Sequence, residues 1–408
     1  MIKIEEKKYC CGCMACVQKC PKQCITMSED EEGFLYPQVD KTNCVDCGLC
    51  EKVCPVTNPT ETKEPKRIYA AINTDEKILR QSSSGGIFSL LAEKVLLEGG
   101  VVFGAGFNEK WEVCHSYVET IDGLDRFRGS KYVQSRIGDS YKQAEAFLKK
   151  GLTVLFSGTP CQIAGLKHYL KNSYENLICV DIICHGSPSP GIWKDYLKQI
   201  PAKLVGGKNT VSSSLKTLPV LTGISFRDKT EGWQKYGFSV NGTVDQRETE
   251  NSVSPSNYLQ IYENHRVNLY MRGFLNNLYL RPSCHHCPAR HGKSDSDILL
   301  GDFWGIVRRH PEFYNKDGVS LVLSYTKKGD AIFNSLPCKK IDATYEDALD
   351  CNINIEKDEP SPKIRAKFFI AYSKYGIKFI EKYCLQEEIS KLSFFKKIKF
   401  RIKSYLKR

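Results

Sequence analysis

The chain has 408 residues, a formal net charge of +12 and 19 cysteines, ten of which precede residue 55. Its hydrophobic content of 41% and charged content of 26% are ordinary for a globular protein, and no apolar run approaches the roughly 18–20 residues that span a bilayer. The length exceeds one small core and predicts two or three domains.

The first eight residues, Met1 to Lys8, lack the apolar segment and small-residue cleavage site of a signal peptide, so a cytoplasmic location is expected. Thiols stay reduced there, and the cysteine spacing is that of ligands rather than of disulfide partners. The positive charge fits a solvated surface or an acidic partner and says nothing of fold. Scattered lysines without a nucleic-acid motif predict no nucleic-acid partner.

Cys10, Cys13, Cys16 and Cys20, followed by Pro21, form one Cys-x-x-Cys-x-x-Cys-x-x-x-Cys-Pro run; Cys44, Cys47, Cys50 and Cys54, followed by Pro55, form a second. Three thiolates at this spacing wrap one face of a 4Fe–4S cubane, and the fourth, beyond reach, ligates the other cluster. Cluster I is thereby assigned to Cys10, Cys13, Cys16 and Cys54, and cluster II to Cys44, Cys47, Cys50 and Cys20. Structural zinc uses two cysteine pairs and has no role for triple runs. Between the runs, Ile25–Met27 and Phe34–Tyr36 flank a polar, Gly-containing stretch and predict two short strands with a turn. This module, residues 1–57, resembles the bacterial two-cluster ferredoxin. Cys11 and Cys24 fall outside the ligand pattern and read as small buried side chains.

Residues 58–66, rich in Pro, Thr and charge, predict a linker. An α/β part, 67–200, follows. Ile68–Ile72 and Val101–Phe107 read as strands around a helix from Ile87 to Glu98. Thr153–Phe156 turns at Ser157–Cys161 into a helix from Gln162 to Leu170. Leu177–Ile183 turns at Cys184–Pro188 into a helix from Gly191 to Gln199. Alternating strands and helices predict a parallel sheet with ligands beyond the carboxyl ends of its strands, where Cys161 and Cys184 stand.

Residues 201–345 predict a β-rich insertion, with strands at Gly223–Arg227 and Tyr236–Val240, then a helix from Tyr258 to Phe274 and a Cys284-His285-His286-Cys287 pair. That pair lacks two ligands. Cys161 and Cys184 are the candidates to complete it around a third 4Fe–4S cluster or a zinc ion; the alternative is that the four share no site. His285 and His286 read as surface or packing residues. Cys114, Cys179, Cys338, Cys351 and Cys384 have no partner at ligand spacing and read as core. The last part, 346–408, predicts a helical basic tail. Its final 18 residues, from Lys391 to Arg408, carry eight Lys or Arg and no acid. Ile398, Ile402 and Tyr405 form a stripe suited to an acidic membrane surface or a partner, and a solvated, frayed terminus fits equally.

Three turns suit a phosphate-bearing cofactor. Ser82–Gly86 opens a helix with free N–H groups and hydroxyls, although serine with glycine is also an ordinary helix start. Gly129–Ser135 adds a cation, a ring and hydroxyls, and Gly158–Gln162 joins a strand end to a helix N-terminus. No G-x-G-x-x-G run is present, so a dinucleotide held in the nicotinamide manner is not supported.

With Cys184-His185-Gly186, Phe226–Lys229, Arg281–Cys287 and Gly301–Gly305 these turns occur in an order that resembles the family of beta subunits of deazaflavin-dependent (coenzyme F-420 type) hydrogenases and dehydrogenases. The likeness covers about residues 67–310. It implies a bound FAD beside a 4Fe–4S cluster. By carry-over, Ser83, Ser84, Gly85, Gly86, Ser130, Lys131, Tyr132, Gln134, Ser135, Gly158 and Thr159 become flavin contacts. Cys161, Cys184, Cys284 and Cys287 become ligands of a third cluster.

The expected fold is an α+β ferredoxin-like two-cluster module fused to an α/β flavin-binding body with a β-rich insertion and a helical C-terminal tail. The expected function is that of an iron–sulfur flavoprotein oxidoreductase. Electrons would move between ferredoxin-type clusters, served by a ferredoxin or another redox partner protein, and FAD, with hydride exchange to a small organic acceptor such as a 5-deazaflavin coenzyme. Related plant and cyanobacterial members of the family reduce a chlorophyll precursor. The chain brings its own two-cluster relay, which departs from the family pattern and leaves the substrate open. The rival expectation is a non-catalytic electron-relay subunit of a larger redox complex. His185 and Asp302 are candidate acids only through their position in motif turns.

Overall fold

The computed structural model describes residues 1–206, 218–244, 258–350 and 352–391. The segment Lys391–Arg408 expected as a basic amphipathic helix lies, apart from its first residue, outside the described residues, as does Cys351.

The first 57 residues fold as a two-fold pseudo-repeat. Strands β1 (Ile25–Glu29) and β2 (Leu35–Val39) pair antiparallel with Ile25 opposite Val39. A short helix follows each triple-cysteine loop, Ala15–Lys19 and Leu49–Lys52. Each is entered through a left-handed residue, Met14 at φ 62° and Gly48 at φ 69°, because the chain must reverse sharply to turn consecutive thiols toward one point. Residues 58–65 then run without regular structure along the rest of the molecule, held by a Lys63–Asp295 ion pair.

The body is built on one eight-stranded sheet. Its strands are β3 (Arg67–Asn73), β4 (Val101–Phe107), β5 (Val113–Val118), β6 (Val154–Gly158), β7 (Leu177–Ile182), β11 (Ile298–Asp302), β12 (Ser320–Ser324) and β13 (Cys338–Asp342), in spatial order β13-β3-β12-β11-β7-β6-β4-β5. The central four, β11-β7-β6-β4, are parallel; both flanks are antiparallel. The sheet is therefore mixed, not parallel throughout as strand–helix alternation predicts. The β4–β5 connection shows why: Asn108 to Glu112 is a tight turn closed by Asn108 N–H to the Glu112 carbonyl at 2.9 Å, and so short a link can only return antiparallel. Strands from both sides of residue 200 share this sheet.

Side chains alternate across it. Val102, Leu155 and Val180 pack on one face with Leu91 and Val95 of the Ile87–Leu97 helix. Phe103, Phe156 and Cys179 pack on the other with Ile163 and Leu166 of the Pro160–Leu170 helix, as the two-residue period of a strand requires. Ala15 and Val53 of the N-terminal module join this second layer, so the module shares a core with the body.

A separate antiparallel sheet of order β10-β9-β8 comprises β8 (Val220–Asp228), β9 (Gly237–Thr243) and β10 (Tyr258–Asn264). The helix expected from Tyr258 to Phe274 is thus a strand for its first seven residues. Leu259 and Ile261 alternate onto the aromatic core around Trp193 and Phe226, and that burial overrides the helical propensity of the segment. Helix begins only at Leu269, capped by the Asn268 side chain accepting from Met271 N–H at 2.9 Å. C-terminal helices span Tyr345–Leu349, Arg365–Tyr375 and Ile380–Lys391.

Candidate functional site

Two cavities in the N-terminal module divide its cysteines into two sets. One, of about 350 Å³, is lined by Cys10, Cys13, Cys16 and Cys54 together with Cys11. The other, of about 340 Å³, is lined by Cys20, Cys44, Cys47 and Cys50 together with Cys24. The fourth cysteine of each run has crossed to the cavity of the other run. Burial, then the neighbouring Cys10 and Cys54 thiols, pushes Cys16 up to about 12, so the first cavity is an unfavourable place for bare thiolates. A cationic iron core reverses that balance, since ligation deprotonates a thiol outright.

The two cavities differ in exposure. Cys47 of the second set is exposed, whereas Cys10 and Cys13 of the first are buried against the body. Cys24 lies 3.4 Å from the Cys20 sulfur. Spacing gave no sign of this fifth thiol beside the second set, because Cys24 follows the proline that ends the run.

A third set gathers at the carboxyl ends of the parallel strands. Cys161 opens the helix after β6, Cys184 follows β7, and Cys284 and Cys287 lie in and just after the turn Pro282–His286. Burial, then charge on neighbouring thiols, raises Cys184, Cys284 and Cys287, and Cys184 feels all three of its companions. Cys284 stands at about 12 and Cys287 at about 11. Cys161 is raised first by its bond to Cys11 and then by burial. Ser187 N–H donates to Cys284 Sγ at 3.2 Å. Among the described residues no three His, Cys, Asp or Glu side chains are grouped so as to hold a single metal ion.

His285 turns away from this set: its Nδ1–H donates to the Glu359 carbonyl at 2.7 Å, and His286 is exposed. His185 is held between Asn277 Oδ1 at 2.7 Å and Glu359 Oε1 at 3.1 Å. Burial alone would raise the Glu359 carboxyl, but His185, Asn354 and Asn277 outweigh it and hold it down to about 2.

The first and third sets adjoin at Cys11: it lines the first cavity, packs in one cluster with Cys13 and Cys161, and the neighbouring Cys13 and Cys161 thiols are among the causes of its shifted thiol. Around this point the two parts interlock. Gln134 Nε2 donates to the Cys11 carbonyl at 3.0 Å, and Arg281 Nε to the Cys10 carbonyl at 2.7 Å. Gly165 of the Pro160–Leu170 helix faces Cys13: any Cβ there would fall 2.8 Å from Cys13 Cβ and 3.0 Å from its sulfur.

The residues carried over as flavin contacts fall into two groups. Ser83 accepts from Ser130 N–H at 2.6 Å and bonds to its hydroxyl at 2.9 Å. Beside them, Arg227 forks onto Asp302 at 2.7 and 3.2 Å and donates to the Ser83 carbonyl at 3.0 Å and the Tyr132 hydroxyl at 3.2 Å. The Trp233 indole also donates to Asp302, at 2.6 Å. Both carboxylate oxygens of Asp302 are thus taken by donors within the chain. Arg227 Nε is buried with no partner among the described residues, the kind of donor a ligand oxygen satisfies. Ser84 donates to the Val319 carbonyl at 2.9 Å. Gly85 is a packing residue, because a Cβ would strike the Ala71 carbonyl and Ser320. Gly86 is left-handed at φ 79°. Lys131 Nζ donates to the carbonyls of Arg126 and Arg128, each at 2.9 Å.

The second group lies nearer the module. Gln134 and Ser135 line a cavity of about 640 Å³ between module and body, with Gly12, Trp193, Lys194 and Arg281 among its walls. His115 Nε2–H donates to the Ser157 carbonyl at 3.0 Å, so its Nδ1 accepts from the Ser135 hydroxyl at 2.7 Å. Burial holds this imidazole down to about 4. Thr159 N–H donates to Gln162 Oε1 at 3.0 Å, and its hydroxyl lies 3.3 Å from Cys161 Sγ. Gly158 packs against Gln162 and His115. Arg227 and His115 escaped the sequence reading of the site; only the Phe226–Lys229 motif hinted at the first, and nothing in the spacing marked the second.

Comparison with known proteins gives two matches to families. Residues 151–346 match the family described as the C terminus of the beta subunit of coenzyme F420 hydrogenase/dehydrogenase, and residues 9–58 match the 4Fe–4S dicluster domain. The F subunit of the F(420)H(2) dehydrogenase of Methanosarcina mazei is 23% identical over 187 residues, 44% of this chain and 53% of that protein. A 7Fe ferredoxin of Hydrogenibacillus schlegelii is 46% identical over 43 residues, 10% of this chain and 49% of that one. The chain thus spans about half the length of these curated relatives. A solved chain of the F420-reducing [NiFe] hydrogenase complex of Methanosarcina barkeri aligns over 81% of this chain and 94% of its own, at a TM-score of 0.41 and 20% identity.

Proposed function

We propose, from the match of residues 151–346 to the C terminus of the beta subunits of coenzyme F420 hydrogenases and dehydrogenases and of residues 9–58 to the 4Fe–4S dicluster domain, that the chain is an iron–sulfur flavoprotein oxidoreductase, one subunit within a larger assembly. It exchanges electrons with a redox partner protein on one side and a hydride with an organic molecule of the 5-deazaflavin type on the other. The observation that carries this reading is the row of thiol sets. The set of Cys20, Cys44, Cys47 and Cys50 reaches the surface at Cys47, the set of Cys10, Cys13, Cys16 and Cys54 lies against the body through the buried Cys10 and Cys13, and Cys161 of the set at the strand ends packs in one cluster with Cys11 and Cys13.

Each set has the donor chemistry of a 4Fe–4S site, four thiols without a competing disulfide. Clusters supply one-electron transfer, and FAD supplies the exchange between single electrons and a hydride. The chain's own part is to position and shield. Cys47 gives a partner access at the outer set. The Pro160–Leu170 helix excludes water from Cys13. Ser83, Ser130, Tyr132 and the unpartnered Nε of Arg227 offer the polar groups of a flavin site, with Gln134 and Ser135 at the neighbouring cavity. His115 fixes the Ser135 hydroxyl proton on itself, leaving the serine oxygen free to accept.

One observation favours the relay reading instead. Lys131, Ser84 and Gly85 already spend their polar groups within the chain, so the flavin set is thinner than the family pattern implies.

Anaerobic purification with assay of iron, acid-labile sulfide, zinc and acid-released flavin decides between them. About twelve iron and one FAD per chain are expected. About eight iron with zinc and no flavin, after failed flavin reconstitution, would sink the flavoenzyme and leave the relay.

A further inference from the structure

Among the described residues, Arg281 is a cation without a carboxylate partner. Its side chain is 1% exposed. Nε donates to the Cys10 carbonyl at 2.7 Å, Nη1 to Gln134 Oε1 at 3.0 Å, and Nη2 to the Leu35 carbonyl at 2.8 Å and to Cys10 Sγ at 3.5 Å. The guanidinium carbon lies over the rings of Tyr36 and Phe34, 4.3 Å and 5.3 Å from their centroids. Rings and carbonyls solvate a cation partially, but a full charge removed from water calls for an anion. Among the groups bonded to Arg281, Cys10 alone can become one.

The chain makes room for this contact. Gly12, between Cys11 and Cys13, is left-handed at φ 72°, and a Cβ on it would fall 2.8 Å from Arg281 Nη1 and 2.9 Å from Gln134 Nε2. The outer set is served differently: Cys50 Sγ receives the backbone N–H of Ile2 at 3.2 Å.

We propose that Arg281 is the counter-charge of the cluster held by Cys10, Cys13, Cys16 and Cys54, and that it raises that cluster's reduction potential. This rests on the cluster assignment above. Adding one electron makes the cluster one unit more negative, so a fixed cation stabilises the reduced form more than the oxidised form. A hydrogen bond to a ligand sulfur acts in the same direction. Arg281 stands three residues before Cys284 in the same turn, so the segment that ligates at the strand ends also sets the charge around the inner module cluster. It is a positioning and tuning residue and takes no part in the chemistry of a substrate.

The test is a redox titration followed by EPR on the full chain, purified anaerobically, with the two module signals told apart by a Cys47→Ala variant that empties the outer set. Arg281→Gln should shift the inner cluster to a more negative potential by more than either other cluster, and Arg281→Lys should restore much of the shift. Wild-type protein grown with guanidino-15N arginine should show a 15N coupling at the reduced inner cluster in pulsed EPR, a readout that needs no variant to fold. Unmoved potentials in iron-replete Arg281→Gln, or no 15N coupling in the wild type, overturn the tuning role alone. Protein that takes up no iron on reconstitution overturns the cluster assignment and this inference with it.

Discussion

Arg365 and Glu32, 333 positions apart in sequence, are joined by a two-pronged ion pair, Nη1 to Oε1 at 3.0 Å and Nη2 to Oε2 at 2.6 Å, with each side chain only 12% exposed. Glu32 sits in the turn of the module hairpin and Arg365 opens the Arg365–Tyr375 helix. The same guanidinium donates to the Leu280 carbonyl at 2.7 Å, one residue before Arg281. The C-terminal part therefore clamps the module onto the segment that reaches its inner thiol set.

Arg365→Ala leaves the Glu32 carboxylate buried without its partner, and a loss of about 3–5 kcal/mol of stability is expected. Replacing both residues with apolar side chains, Arg365→Met with Glu32→Leu, should cost less than the single change. Urea unfolding of the wild type and the two variants checks this; a double variant no better than the single one would show that the pair does not act as a pair.

Gly165→Val should disturb the seat of Cys13. The added atoms have no space between the helix and the thiol, and overpacking of a filled core typically costs about 1–3 kcal/mol. Iron analysis is the direct measure. The variant should lose iron from the inner set before the outer one, whose lining does not include Cys13. Retention of full iron with an unchanged spectrum would argue that the helix and the loop separate freely.

His115 gives a pH dependence with a defined sign. Its folded value of about 4 lies below the ordinary 6.5, so between these values the unfolded chain binds more protons than the folded one. The contribution is fully present above pH 6.5 and is lost as pH falls toward 4. At 1.36 kcal/mol per unit it amounts to roughly 3 kcal/mol. Thermal unfolding between pH 7 and 5 should show a steeper decline for the wild type than for His115→Gln. Parallel curves would mean that the imidazole is charged in the folded state.

Asp302→Ala should destabilise through Arg227. The guanidinium keeps its bonds to Ser83 and Tyr132 but loses the only carboxylate paired with it among the described residues, with about 3–5 kcal/mol expected. Asp302→Asn retains hydrogen-bonding oxygen and should cost less. Differential scanning measurements on both variants, with bound flavin assayed alongside, test whether the residue acts as an anion. Equal effects of the two substitutions would favour a role for the carboxyl proton instead.

The parts of the architecture that sequence made legible are those ruled by local chemistry. The Val101–Phe107 strand is bounded by a Gly99-Gly100 turn and by Asn108, and both ends could be read from residue types. The strand-turn-helix around Cys161 was equally plain, because Pro160 fixes the helix start and the strand before it is short and apolar. What escaped was decided at long range. Nothing near Val113–Val118 announces an edge strand; it forms because the turn at Trp111, left-handed at φ 57°, folds it back on β4. Tyr258–Asn264 carries Gln, Glu and Leu, good helix formers, and became a strand through its pairing with β9. At the site, the pairing of Asp302 with Arg227 was not legible, because the two lie 75 residues apart. Cys11 looked inert because its neighbour Cys161 is 150 residues distant in the chain.

The three thiol sets also differ in when they can exist. All eight cysteines of the module sets lie within the first 54 residues, so a growing chain holds both complete sets before its sheet has begun. The third set needs β6 and β7 side by side and the turn at residues 282–287 already synthesised. Its four thiols come together only once most of the chain has been made and packed. Formation of the sets is thereby ordered in time from the N-terminus inward: the early thiol sets can be complete before the body folds, while the last comes together only after it. A chain arrested after the Pro160–Leu170 helix would leave the ribosome with a competent module and a solitary Cys161.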